Sequence, residues 1–246
     1  PPFARGKSTT YEFGTRVPYL ARWTGQIKPG QVRDDFVCHV DVMPTLLEAA
    51  GVQAPDIQAG RSLVPLFGGD DVAWRDEVFT GFTAHGPGFT PQRAVRTDRY
   101  KLIHNLHVGH SKPGVTVDGR EVREALEDPA WADSDMQGVF KLIDETVEFE
   151  LYDLVDDPLE HLNLADDPEY ADVKADLAAR LLAWRKETFD PLLSERYFGK
   201  LRDHTVAHFE AHHEACDEAK AKGEEAPYNK IDMLAFQEDW PAPWMK

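Results

Sequence analysis

Residues 93–105, RAVRTDRYKLIHN, decide the fold. Strand-forming stretches stand on both sides of Thr97-Asp98, the pattern of two strands joined by a tight turn. Strand alternation also prevents Arg93, Arg96 and Arg99 from all facing one side, so most of them read as surface or ion-paired arginines. Upstream, Val78–Phe82 reads as a further strand, followed by a Gly/Pro-rich loop from Ala84 to Pro91 that holds His85. Downstream, residues 106–138 are polar and acidic and read as a loop-rich insertion. Val139–Ile143 and Phe149–Leu154 then read as strands. Asp167 can cap a helix with Pro168 at its first position. Val173, Leu177, Leu181 and Trp184 recur at helical spacing, so this helix is expected to pack on a small sheet.

The N-terminal stretch, residues 2–23 (PFARGKSTTYEFGTRVPYLARW), carries the chemistry. Lys7 lies between Gly6 and the hydroxyl run Ser8-Thr9-Thr10. Glycine permits a left-handed bend, hydroxyls donate to oxygens, and an ammonium is a compact charge with three donors. A cation on such a loop suits a small oxyanion, although the same letters also describe a solvated surface lysine. Tyr19–Trp23 reads as a strand. Asp41–Ala50 reads as a helix capped by Asp41, with an apolar stripe of Met43, Leu46, Leu47 and Ala50 and a stop at Gly51. His39 and Asp41 at its start read as a satisfied histidine and a cap.

The 246 residues suffice for one large domain or two small ones, and no apolar run approaches membrane-spanning length. The net charge of −17 is uneven. Residues 1–117 hold 13 basic and 11 acidic groups, whereas residues 118–176 hold 4 basic and 20 acidic ones. This balance argues against nonspecific nucleic-acid binding, so local cations must catch any anionic substrate. Cys38 and Cys216 make no metal pattern. His104, His107 and His110 cross a strand end and a glycine loop, which favours a structural account of them. In the tail, His204, His208 and His212 would share one face of a helix, and a polar helix surface explains them better than a transition-metal site. Ala219–Glu225 reads as a charged loop, and Trp240–Trp244 as a proline-interrupted segment docked on a groove.

Pro2, Phe3, Lys7, Tyr11, Gly14 and Pro18 match a Pro-Phe-x-x-x-Lys/Arg-x-x-x-Tyr-x-x-Gly-x-x-x-Pro segment. In this respect the chain resembles the sulfatase family, of alkaline-phosphatase-like fold, and within it the N-sulfoglucosamine sulfohydrolase-like (heparan N-sulfatase) branch. Phe13 departs from that segment, where many members have a second glycine. The phrases HVDVMPTLLEAAGV, GRSLVPL, RAVRTDRYKLIHN and LYDLVDDPLEHLNLA are similar to sulfatase phrases and stand in the same order. The resemblance covers roughly residues 1–190.

The resemblance implies an α/β fold: the end of a large mixed-sheet domain (residues 1–90), a smaller α+β domain with a short antiparallel sheet and a packing helix (91–190), and an extended tail (191–246). It implies that Lys7 contacts the substrate's sulfate, as a catalytic and binding group; His85, with Arg93 eight residues on, reads either as an exposed loop histidine or as a substrate-edge group, since heparan-type relatives place His-containing loops here. It implies a formylglycine nucleophile made from a Cys/Ser-x-Pro-x-Arg motif, and a calcium ion. That motif is absent from this sequence, so nucleophile and metal ligands are expected upstream of Pro1, and this chain contributes no metal ligand. The implied partners are a sulfated small molecule or glycan and the N-terminal part of the same protein, without nucleic acid or membrane. Members of the family are often periplasmic, secreted or lysosomal. Three alternatives stay open: a non-catalytic module or pseudoenzyme fragment, a phosphoester or phosphonate hydrolase of the same fold, and a zinc protein using the tail histidines.

Overall fold

A computed structural model of the chain describes residues 5–55, 59–85, 88–108, 124–126, 128–132, 134–225 and 227. Two compact units result. The first gathers residues 1–16, 79–95 and 99–246, and the second residues 17–78 with 96–98.

The first unit is built on an antiparallel sheet with strands in sequence order: β1 (Glu77–His85), β2 (Gly88–Thr97), β3 (Tyr100–Asn105) and β4 (Phe149–Asp153). The hairpin expected at Thr97-Asp98 joins β2 to β3. β3 and β4 pair in a register that sets Leu102 opposite Leu151 and Ile103 opposite Glu150. Alternation divides the sheet's residues between two faces. Val95, Leu102 and Leu151 face one way, and with Ala165, Leu177 and Leu181 they form an apolar core. Ala94, Ile103 and Tyr152 face the other way, where Tyr11 covers them.

The helix that closes the first face arises as the sequence pattern implies. Asp167 accepts from Glu169 N at the start of a 3-10 turn, Pro168–Tyr170, which leads into a helix at Ala171–Glu187. Leu177 and Leu181 are buried, while Val173 and Trp184 pack beside them, the indole stacked on Phe79 at 5.0 Å.

Several expectations need correction. Val139–Ile143 is not a strand but the second half of a helix, Asp135–Asp144. Val139 and Phe140 are buried beside Leu126. A short apolar run carries no period of its own, and polar flanks at helical spacing decided it. The loop expected from Ala84 to Pro91 is mostly strand. Pro91 sits within β2, and its carbonyl accepts from Leu106 N. The tail is not extended as a whole, because residues Glu195–Lys222 form a helix of 28 residues. Ser194 caps it by accepting from Tyr197 N, and Gly223 ends it with φ 70°. Tyr197, Leu201, Thr205 and Phe209 recur every four residues on its buried side. The expected charged loop at Ala219–Glu225 is therefore largely helix. The Trp240–Trp244 segment lies outside the described residues.

In the second unit, Tyr19–Trp23 forms no strand, having no partner edge among the described residues. Asp41 is fully buried and structural, as expected. Its carboxylate accepts from Cys38 N and Arg61 N and pairs with both ends of the Arg75 guanidinium, at 2.8 and 3.0 Å. The helix after it runs Val42–Ala49, but it buries Pro44 and Thr45, and the expected apolar stripe faces outward. Met43 and Leu46 are exposed, and so are Leu20 (94 %) and Val32 (92 %).

Using labels in chain order, α1 is a single turn at Glu12–Thr15, α2 is Val42–Ala49, α3 is Asp135–Asp144, α4 is Ala171–Glu187 and α5 is Glu195–Lys222.

Candidate functional site

Lys7 stands at the crest of a tight loop that precedes α1. The loop's feet, Arg5, Thr10 and Tyr11, are buried, while Lys7 itself is exposed. Gly6 does not make the bend. It falls on Arg5 (φ 61°) and Ser8 (φ 68°), two side-chain-bearing residues in the left-handed region. Each costs on the order of 1–2 kcal/mol there, so the surroundings must over-determine the conformation.

They do so in three ways. The Arg5 guanidinium lies 4.4 Å from the centre of the Tyr11 ring and donates to the carbonyls of Glu160 and Val139 and to the Tyr152 hydroxyl. Thr9 Oγ1 donates back to Arg5 O at 2.6 Å. Gly14 lets α1 close against the loop, because a Cβ there would lie 2.6 Å from the carbonyl oxygens of Gly6 and Thr9. Phe13, the departure from the sulfatase segment, is partly exposed on α1 and leaves this contact intact.

A buried polar network ties the loop to the sheet. Thr10 N and Oγ1 both donate to Gln92 Oε1, and Gln92 Nε2 donates to Asn105 Oδ1 at 2.7 Å. Asn105 Nδ2 donates to one Glu150 oxygen, and the hydroxyls of Tyr11 and Tyr152 donate to the other. Burial first, then the neighbouring Glu150 charge, pushes the Tyr11 and Tyr152 hydroxyls well above the ordinary tyrosine range, so both stay protonated donors. Lys101, also buried, sits 3.1 Å from Glu12 and 3.2 Å from Glu160. Burial raises the Glu160 carboxyl, and the charge of Lys101 opposes that. Glu160 also accepts from Glu12 N at 2.7 Å. The exposed ammonium therefore rides on a base tied to the sheet by long-range polar contacts, although buried Arg5 Nε has no hydrogen-bond partner among the described residues.

The other expected site residues are placed differently. Arg93 is buried. Its guanidinium takes both carboxylate oxygens of Asp190, at 2.9 and 2.8 Å, and donates to the carbonyls of Phe82 and Gln92. It is thus brought to Asp190 and Arg185. His85 ends β1, and its side chain lies outside the described residues. In the tail, His208 stacks on His212 with ring centres 6.5 Å apart, and His212 Nε2 lies 3.5 Å from Cys216 Sγ. Among the described residues no group of three or more His, Cys, Asp or Glu side chains is placed to hold a metal. No described helix is long and apolar enough to cross a membrane.

Sequence reasoning missed the supports of Lys7: Arg5, Gln92, Glu150 and Glu160. Glu160 stood within the phrase LYDLVDDPLEHLNLA, noted above only for its likeness to a sulfatase phrase. In the same phrase the Asn163 side-chain oxygen accepts from Leu151 N and Ala165 N. A left-handed φ of 58° at Glu160 has no local sequence signal.

Comparison with known proteins bears on this arrangement. Residues 5–137 match the family described as N-sulphoglucosamine sulphohydrolase, C-terminal. Over 197 residues the chain is 34 % identical to an ulvan-active sulfatase of Formosa agariphila, covering 79 % of this chain and 37 % of that protein. Over 214 residues it is 28 % identical to the N-sulphoglucosamine sulphohydrolase of Homo sapiens, covering 77 % of this chain and 40 % of that protein. Among solved structures it is similar to a 2-O GAG sulfatase, with 28 % identity and a TM-score of 0.42 over 61 % of this chain and 25 % of the other.

Proposed function

Because this chain belongs to the sulfatase family, through its N-sulphoglucosamine sulphohydrolase C-terminal region, we propose that it is the C-terminal part of an enzyme that hydrolyses sulfate esters or N-sulfates, with a sulfated sugar as substrate. In this reading the formylglycine nucleophile and the calcium ligands belong to the part of the protein that precedes Pro1, and this chain alone is inactive. The described residues of this chain offer no converging set of ligands for calcium.

The observation that carries the reading is the Lys7 loop: an exposed ammonium on a strained, buried-footed base. As the bond to sulfur breaks, negative charge grows on the sulfate's bridging and terminal oxygens. An ammonium already held in place stabilises that charge without reorganising. His85 and Arg93 are the proposed substrate-edge groups. Arg93 acts through the strand it anchors, since Asp190 and two carbonyls engage its guanidinium.

The second unit supports the partnership with an N-terminal part. Met43 and Leu46 on α2, together with Leu20 and Val32, leave apolar side chains in water that a covering domain would bury.

The test is turnover by the complete protein, measured against an aryl sulfate and a sulfated glucosamine side by side. Lys7→Ala is expected to lower kcat/KM by on the order of 10²-fold or more, with Lys7→Arg recovering part of the loss. Unchanged turnover in Lys7→Ala would refute the role given to that residue. Preference for a phosphoester or phosphonate over every sulfate tested would move the enzyme to that reaction class, and no turnover of either would leave a non-catalytic module.

A further inference from the structure

Two guanidinium groups in the first unit share one carboxylate. Arg93 and Arg185 both pair with Asp190, at 2.8 and 2.7 Å, and all three side chains are buried. Burial works against the ionised Asp190, but hydrogen bonds and charge from Arg93, and then from Arg185, outweigh it and hold the carboxyl below its usual range. The cluster therefore holds two positive charges against one negative, in a place where charge is normally matched.

Arg93 spreads its donors over Asp190 and two carbonyls. Among the described residues Arg185 hydrogen-bonds through Nε alone. Arg185 also lines a cavity of about 310 Å³. The walls of that cavity are largely apolar, with Leu106, Leu192 and Phe198 among them. His104 and Asn105 add polar walls, the His104 ring stacked on Phe149 at 4.4 Å. Burial first, then the charges of Arg185 and Arg93, hold its imidazole down at about 4, so it is neutral at pH 7 and offers one N–H. Glu148 and Glu195, both exposed, also line the cavity; Glu148 Oε1 lies 3.7 Å from His104 Nε2, and neither carboxylate pairs with Arg185 among the described residues.

We propose that this cavity binds a small amphipathic anion, its oxyanion head on the free Nη edge of Arg185 and its apolar body against Leu192 and Phe198. A guanidinium fork matches the two oxygens of a carboxylate or sulfate, and such charge-assisted pairs gain strength where water is excluded. The site is distinct from the Lys7 loop. On β3, Lys101 and Asn105 reach the network under that loop, while Leu102 and His104 point to the opposite face. An anion held here would not compete with one held by Lys7.

The experiment is a titration of the full 246-residue chain with hexanoate and with hexyl sulfate, followed by calorimetry and by NMR of the His104 ring, with hexanamide as the neutral control. Binding of either anion in the millimolar range or tighter is expected, with hexanamide weaker by about tenfold. Arg185→Lys keeps the charge but loses the fork and is expected to weaken binding by about fivefold. Glu195→Gln alters an exposed rim carboxylate, so folding is untouched, and removing the repulsion is expected to tighten binding by about threefold. Equal affinity for hexanoate and hexanamide, no response to either anion at about 10 mM, or an unchanged affinity in Glu195→Gln would each overturn the proposal.

Discussion

Gly14 has no room for a methyl group, since one would press on two backbone carbonyls and the Thr9 hydroxyl. Gly14→Ala is therefore expected to cost about 1–3 kcal/mol in urea denaturation, and to lower turnover of the complete enzyme by displacing Lys7. His104 gives a second prediction with a definite sign. Its folded value of about 4 lies below the ordinary value of 6.5, so the unfolded chain takes up a proton that the folded one refuses. The contribution of His104 is complete above about pH 6.5 and declines as pH falls toward 4, by on the order of 3 kcal/mol in full. Glu160, whose carboxyl is raised by burial, titrates in the opposite sense. The measurement is thus the difference in stability between wild type and His104→Gln, which should shrink as pH falls through this window. Although Arg5 and Ser8 rather than Gly6 make its bend, the exposed loop at Lys7 was legible in the sequence because its neighbours form a pattern. Arg5 and Glu160 were not, because a hydrogen bond between residues 155 apart leaves no trace in either neighbourhood.

At the scale of elements, period decided what could be read. β3, β4 and the second half of β2 have strand-forming composition, and the apolar positions of α4 recur at helical spacing, so these were visible without a partner, whereas the first half of β2 reads as a loop. Leu181, at the centre of the α4 contact, is expected to cost about 2–4 kcal/mol when changed to Ala, as read from denaturant midpoints at constant m. The failures have the same root. Val139–Ile143 is too short to show a helical period and too β-branched and aromatic to resemble a helix, and Phe140 took its place only through burial against Leu126. In α5 the contact residues are a tyrosine, a leucine, a threonine and a phenylalanine among many charges, which hid its buried stripe. Tyr19–Trp23 has strand-like composition, but a strand needs an edge to join.

At the scale of the molecule, the chain spans 37 % and 40 % of the two curated relatives compared above. The order of its phrases made the family legible, and α2 leaves exposed two side chains, Met43 and Leu46, that the sequence presents as part of an apolar stripe. Leu46 is 64 % exposed in this chain. In the complete protein, Leu46→Glu is expected to lower the thermal midpoint by several degrees, whereas in this chain alone it should change the midpoint little and reduce binding of a hydrophobic dye. An equal effect in both contexts would place that side chain in solvent throughout.

The Arg5–Glu160 contact has a consequence for synthesis. A ribosome delivers Lys7 long before it delivers the glutamate whose backbone steadies the loop. Until the fourth strand and the turn after it have emerged, the loop has its local supports, from Thr9 and Gly14, but lacks the Arg5 contacts to Tyr152 and Glu160. Under the role proposed for Lys7, a nascent or C-terminally clipped chain would present that ammonium less rigidly, because one of its supports lies 155 positions downstream of Arg5.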